Sequence, residues 1–519
     1  MKELRLLKNR KKGLVSIIFS RTGIVLLLFA LTIAIFIFVE IFFAEWFEEF
    51  FGGVGIINLI MVIAIINSDM DSSAKLTWTL VIVTTSIFGA LFYLYTKIDI
   101  GNGTIKKGYI DILERHRYDL EQSDATLRKL EKDSKPTVEL VNYLGRSGTF
   151  PVTDSNEVKY YPLGEYKWKD MLEELEKAED FIFMEYFIIE EGKMWGSILN
   201  TLKEKADKGV EVRILYDGLC AISKLPYNYP NMIRELGIQC KMFSPIRPFF
   251  STHYNYRDHR KIIVIDGKVG FMGGVNLADE YINETHPFGH WKDTAIRIKG
   301  EGVRKLTLLF LNMWSMGEKN PEYDYYLDAP APVFPKEKGY IVPYGDNPFD
   351  DDKVGEKVYM DILNRADSYV HIMTPYLILD DELLMAIKYA AERGVDVRII
   401  LPGIPDKYPV YALAKTYFRT LLDSGVKIYT YTPGFVHAKI FVSDDIKAVV
   451  GTINLDYRSL YHHFECGTYM YDVACISDIE RDYRNTLKKC HRVTYRTIKE
   501  EKIITKIVGT VTRLIAPLL

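Results

Sequence analysis

One pattern occurs twice in this chain: His259-Arg-Lys261 with Asp266 five positions after the lysine, and His437-Ala-Lys439 with Asp444 at the same distance. Each copy runs on to a glycine and an asparagine, Gly273-Gly274-Val-Asn276 and Gly451-Thr452-Ile-Asn454. H-x-K-x4-D-x6-G-[GT]-x-N thus appears in two copies 178 residues apart, which requires two similarly folded halves and points to a paired site.

The flanks repeat as well. Phe181-Ile-Phe-Met-Glu-Tyr-Phe, a helical stretch and Lys208-Gly-Val-Glu-Val-Arg213-Ile-Leu parallel Tyr369-Val-His-Ile-Met-Thr-Pro-Tyr376, a helical stretch and Arg393-Gly-Val-Asp-Val-Arg398-Ile-Ile. A strand, a helix stopped at glycine and a β-branched buried strand in that order predict an α/β domain with a parallel component to its sheet. Two such domains related by a pseudo-two-fold would bring the two His-Lys pairs to one cleft.

Within each copy the spacing has a physical sense. In the β-like runs 260–265 and 438–442, side chains at i and i+2 emerge on one face, so each histidine stands beside its lysine. Asp266-Gly267 and Asp444-Asp445 divide two apolar runs and predict hairpin turns, after which the chain returns Asn276 and Asn454 towards the pair. An imidazole beside an ammonium and an amide suits an anionic centre such as a phosphodiester. Each aspartate falls on the opposite face, at the turn. There, bonding of hairpin amides and a chemical role are both open readings.

These residues resemble the phospholipase D superfamily and, within it, the bacterial cardiolipin synthases. The narrower likeness rests on Asn255-Tyr-Arg-Asp-His259-Arg-Lys261, Asp279-Glu-Tyr281, Trp291-Lys-Asp293, Thr374-Pro-Tyr376, Gly434-Phe-Val-His437-Ala-Lys439, and Thr452-Ile-Asn454-Leu-Asp456-Tyr-Arg458-Ser459 with Phe464-Glu465. It spans nearly the whole chain. Gly274 and Thr452 depart from the serine many superfamily members carry. The resemblance implies two tandem phospholipase D-like α/β/α domains and a metal-free, cofactor-free phosphatidyl transfer between two phosphatidylglycerol molecules that releases glycerol. It implies a catalytic set of His259, Lys261, Asp266, His437, Lys439 and Asp444, with His259 attacking phosphorus and His437 serving as acid, then base. Lys261, Lys439, Asn276 and Asn454 would bind the phosphate oxygens. Glu465 would orient His259, and Asp293 would orient His437, each from the opposite half. The alternatives are a transphosphatidylase or hydrolase for another headgroup, and a non-catalytic lipid-binding scaffold.

Three apolar, charge-free runs, 22–39, 50–68 and 76–96, each approach the roughly 20 residues of a helical span, so transmembrane helices are expected ahead of the domains. Gly52 and Gly53 leave the middle run open to a re-entrant reading. Seven lysines and arginines before the first run place the N-terminus in the cytoplasm of a bacterial cell. Three spans would export the catalytic domains, and two would keep them inside. Residues 98–137, rich in alternating charge, read as a solvated helix or linker; domains follow at 138–335 and 336–500, joined through the proline-rich 329–335. Residues 501–519 form an amphipathic helix that either lies on an anionic lipid surface or caps the second domain. Pro245-Ile-Arg-Pro248-Phe249-Phe250 with Tyr254 and Tyr256 reads as a packed loop or a lipid entrance. Five cysteines without C-x-x-C spacing argue against zinc, and a net charge of −3 argues against a nucleic-acid partner. Oligomeric state is not legible.

Overall fold

The computed structural model describes residues 2–7, 34, 38, 54–85, 87–97, 102–245, 256–318, 321–328, 337–350 and 352–518. Nearly all of the 22–39 run, the 329–335 stretch, and residues 246–255 of the aromatic segment lie outside the described residues.

The first half carries nine strands: β1 (Asn156–Tyr161), β2 (Phe181–Tyr186), β3 (Glu211–Asp217), β4 (Gln239–Phe243), β5 (Arg257–Asp258), β6 (Lys261–Ile265), β7 (Val269–Gly273), β8 (His290–Lys292) and β9 (Ala295–Gly300). The second carries β10 (Tyr340–Asp346), β11 (Tyr369–Met373), β12 (Asp396–Pro402), β13 (Lys427–Tyr431), β14 (Gly434–Val436), β15 (Ile440–Ser443), β16 (Lys447–Gly451), β17 (His463–Tyr471) and β18 (Cys490–Arg492). The first sheet has the order β1-β9-β7-β6-β2-β3-β4 and the second β10-β17-β16-β15-β11-β12-β13, with β18 added at its edge. The two orders correspond strand for strand. In each, a parallel trio is connected through helices, and antiparallel strands extend the other side. The expected mixed α/β architecture of two similar halves is therefore what the chain adopts.

The motif hairpins form as expected. In the first, Lys268 N–H donates to Ile265 O at 2.9 Å across Asp266 and Gly267, both at positive φ (50° and 63°). In the second, Ile446 N–H donates to Ser443 O at 3.1 Å across Asp444 and Asp445 (54° and 56°). Positive φ at both central residues is the tight turn whose twist suits a two-residue hairpin, and short polar side chains tolerate it best after glycine.

The halves are interlocked. Helix Gly302–Trp314, buried at every residue but Arg304, packs against β2, β6 and β9 of the first half and β10 of the second. A single apolar core runs from Phe183, Ile262 and Ile296 to Val342, Ile372 and Phe441. Two short parallel ladders also cross the boundary: β5 pairs with β17, and β8 with β14.

Residues 98–137 differ from the expected solvated connector. Helices Asn102–Arg115 and Asp124–Asp133 bury Tyr109 and Leu130 in the shared core, because their apolar residues recur on one face. At the N-terminus, Leu4 N–H donates to Gly196 O at 2.9 Å and Leu6 N–H to Glu191 Oε2 at 3.2 Å, laying residues 2–7 on the first domain.

Helices Val54–Ile66, Ser72–Thr85 and Ile87–Lys97 pack together around Trp78, whose ring meets Tyr93 at 5.2 Å. Ile56, Leu59, Ile60, Ile63, Leu76, Leu80 and Val83 point outwards. Among the described residues, no helix is long and apolar enough to cross a membrane.

Candidate active site

Each motif histidine sits one rung beyond a ladder that joins the halves. Asp258 pairs with Phe464, so the next residues, His259 and Glu465, come side by side; Lys292 pairs with Val436, so Asp293 and His437 do the same. The ladders are continued by His259 N–H to Phe464 O at 2.9 Å and His437 N–H to Lys292 O at 2.7 Å. His259 Nδ1 lies 2.9 and 3.0 Å from the two oxygens of Glu465, and His437 Nδ1 lies 2.6 Å from Asp293 Oδ2. A carboxylate on Nδ1 draws the ring hydrogen there and leaves the lone pair on Nε2. Neither Nε2 makes a hydrogen bond among the described residues. The structure thus brings together His259 with Glu465 and His437 with Asp293, across the halves, as the resemblance implied.

The lysines take the place that their strands give them. Lys261 Nζ donates to His259 O at 2.5 Å, and Lys439 Nζ reaches His437 O, with Nδ1 of the same ring at 2.9 Å. Asn276 is held by Ile188 N–H to its Oδ1 at 3.1 Å, and its Nδ2 donates to Tyr281 OH at 2.7 Å. Asn454 is buried with Oδ1 unpartnered.

The surroundings are dry and aromatic. Phe187 stands edge-on to His259 at 4.8 Å, and Tyr281, Trp291 and Phe435 surround His437 at 5.4, 5.4 and 6.0 Å. Burial, then Lys261 and His463, hold the His259 imidazole well below its ordinary pKa. Burial, then Lys439, bring His437 down to about 4, although Asp293 opposes this. Burial lowers Lys261 to about 8 and Lys439 to about 7. Burial alone would raise Asp293, but His437 and Lys439 outweigh it and the net direction is down; for Glu465 burial prevails over Lys261 and the direction is up. The lowered lysines mark a site that is short of counter-charge and favours an anion.

Asp266 and Asp444 are elsewhere. Five residues beyond its lysine on an extended strand, each lies about 16 Å along the chain. Asp266 accepts from the backbone N–H groups of Glu179, Asp180 and Phe181 at 3.0, 2.9 and 2.9 Å. Asp444 accepts from those of Asp367, Ser368 and Tyr369 at 3.0, 2.8 and 2.9 Å. For these two the geometry favours the hairpin reading, because their carboxylates fasten the hairpin to the start of β2 or β11.

Gly274 and Thr452 also find reasons. A Cβ on Gly274 would come within 2.1 Å of Asp293 Oδ1, so the carboxylate occupies the space of the missing side chain. Thr452 Oγ1 donates to Glu465 Oε2.

Two residues escaped the sequence reading. His463 presents a third imidazole, its ring 5.2 Å from that of His259 and its Nδ1 3.4 Å from Glu465 Oε1. The alternation His463-Phe-Glu465, which sets both polar side chains on one face of β17, could have signalled it. Arg260, between histidine and lysine, points to the opposite face and donates to Glu465 O, Leu309 O and Asp346 O at 3.2, 3.2 and 3.5 Å, stapling the halves together. The donor atoms of His259, His463 and Glu465 lie within 4.8 Å of one another and are the site's one candidate cation cradle among the described residues, but the Lys261 ammonium beside them opposes a cation.

The family model described as "Cardiolipin synthase, PLD-like domain" matches residues 171–314 and 359–487, and one described as "Phospholipase_D-nuclease N-terminal" matches 56–96. A cardiolipin synthase of Geobacillus sp. (strain WCH70) is 33% identical over 508 residues, 96% of this chain and 100% of the relative. The chain belongs to the cardiolipin synthase family of the phospholipase D superfamily. It is accordingly a phosphatidyltransferase. A protein of Streptococcus mutans serotype c is 55% identical over 88% of this chain and 99% of its own length. Among solved structures, a phosphatidylserine synthase from Haemophilus influenzae Rd KW20 matches with a TM-score of 0.56 at 15% identity, over 74% of this chain and 98% of that one, and shows a shared fold.

Proposed function

We propose that this family member condenses two molecules of phosphatidylglycerol into cardiolipin and glycerol through a phosphohistidine on His259. The observation that carries the reading is the crossed pairing of His259 with Glu465 and His437 with Asp293, which gives two rings with free Nε2 atoms in one site. In the first step the Nε2 lone pair of His259 forms a bond to phosphorus. The bond to the glycerol headgroup oxygen breaks, and His437 gives that oxygen a proton. The bound diester anion raises His437 from about 4 towards the range in which it carries that proton. In the second step a hydroxyl of another phosphatidylglycerol attacks phosphorus, His437 takes its proton, and the bond from phosphorus to His259 breaks. Lys261, Lys439, Asn276 and Asn454 hold the non-bridging oxygens as charge gathers on them. General acid-base help of this kind contributes about 10²–10⁴-fold.

The reading includes a bacterial cell membrane as the site of action, supported by the 22–39, 50–68 and 76–96 runs and the outward apolar side chains of the helices between 54 and 97. Residues 2–7 rest on the first domain, so the N-terminus and the catalytic halves share one side of the bilayer and the intervening chain crosses it an even number of times. With a basic N-terminus that side is the cytoplasm.

The test is purified protein with labelled phosphatidylglycerol and no nucleotide or added metal. Cardiolipin and glycerol in equal amounts, and label trapped on His259 by a neutral denaturant quench in a His437→Ala variant, are expected. Phosphatidic acid as sole product would make the protein a hydrolase, and label on His437 in wild type would reverse the roles.

A further inference from the structure

The C-terminal helix Ile503–Leu514 is packed inside out for a helix of a water-facing domain. Its buried residues are Thr505, Gly509 and Thr512, whereas Ile503, Ile504, Ile507, Val511, Leu514 and the following Ile515 are 42–71% exposed. The inward contacts explain the choice of small residues. Tyr408 OH bonds Thr505 Oγ1 at 2.8 Å, and a Cβ on Gly509 would lie 2.4 Å from Ala412 O of helix Tyr408–Ala414. The seat is therefore specific to this face, and the apolar face is turned out by construction.

We propose that this outward face lies in the headgroup region of an anionic bilayer and holds the second domain to the lipid surface. Three observations select lipid. First, the patch adjoins another apolar surface: Thr77 Oγ1 of helix Ser72–Thr85 donates to Leu514 O at 2.9 Å, and that helix turns out Leu76, Leu80 and Val83. Second, Lys502, Lys506 and Arg513 accompany the patch without an acidic residue between 502 and 518, the charge an anionic surface attracts. Third, the helix rests on helix Tyr408–Ala414, whose inner side forms a slot with Pro375, Tyr376, Pro405 and Phe435, and the Phe435 ring is 6.0 Å from that of His437. A bilayer seated on the C-terminal helix would thus press on the helix that walls this slot beside the phosphate site. The inference rests on the geometry of this helix and stands whichever headgroup the enzyme transfers.

Full-length Cys490→Ser protein, reconstituted in phosphatidylglycerol-rich vesicles, carries a bimane label on Ile507→Cys, Val511→Cys or, as control, Lys208→Cys. Lipids brominated along the acyl chain should quench the first two strongly and the control little. No quenching at 507 and 511, or strong self-contact between 511 labels from two molecules in the same vesicles, would overturn the proposal, the latter in favour of a second copy as occupant. In a second measurement, Ile507→Asp with Val511→Asp should lower turnover of vesicle-borne phosphatidylglycerol several-fold while leaving turnover of a short-chain, water-soluble phosphatidylglycerol unchanged. Equal loss on both substrates, with an unchanged melting temperature or a lowered one, would make the face structural and reject it.

Discussion

Glu465 meets the Nδ1 of His259 at 2.9 Å although 206 residues separate them, because β5 and β17 run parallel and in register up to that pair. In the proposed mechanism this carboxylate holds the tautomer that leaves Nε2 to attack. Glu465→Gln should therefore lower kcat about 10–100-fold, the usual effect of losing the partner that orients a functional imidazole, with KM little changed. Rapid-quench measurement of phosphohistidine formation checks it; an unchanged rate would remove Glu465 from the machinery.

Gly274→Ala should silence the other ring. The new methyl group would occupy the place of Asp293 Oδ1 and drive the carboxylate off His437. The expected result is a folded protein that forms the adduct slowly and hardly transfers it. Thr452→Ser keeps the hydroxyl that donates to Glu465 and should retain activity, whereas Thr452→Val should lose it. Turnover and thermal melting of the three variants separate the cases.

The lysines set an alkaline limit. In the proposed mechanism Lys439 at about 7 and Lys261 at about 8 hold phosphate as ammonium ions, so kcat/KM is expected below these values and lost as pH rises through them. On the acid side the depressed His259 stays neutral and nucleophilic well below its ordinary range. A pH profile of kcat/KM should decline above about 7, and Lys439→Arg should move the limb upwards. A flat profile to pH about 10 would contradict this.

Asp266→Asn and Asp444→Asn test a structural role. Each variant exchanges an ionic acceptor of three backbone hydrogen bonds for a neutral one, at a cost of about 2 kcal/mol of stability, while turnover below the melting transition stays within a few-fold of wild type. A large loss of kcat without a change in melting would restore them to the chemistry.

A tag before Lys2 and an epitope after Leu518 should resist protease together in intact cells and become accessible together on lysis. Protection of one without the other would contradict an even number of crossings.

Much of this was legible in the chain because strand chemistry is local. The i, i+2 pairs, the Asp-Gly and Asp-Asp turns and the duplicated strand order follow from period-two patterning and turn residues alone. The positions of Asp293 and Glu465 needed more, since nothing within 30 residues of His259 or His437 says which strands will cross between the halves; resemblance supplied them. For the aspartates the chain left two readings open, because membership of a shared motif says nothing about distance from the cleft. Residues 98–137 were misread because charges on one face of a helix conceal the apolar stripe carrying Tyr109. His463 was missed because a lone histidine near a carboxylate is unremarkable until the strand is seen beside His259.

The two ladders that exchange partners between the halves carry a further meaning. The half with His259 expressed alone would lack Glu465, and the half with His437 would lack Asp293, so each ring would lose the carboxylate that meets it here. A lesion in either half therefore reaches the ring of the other as well as its own.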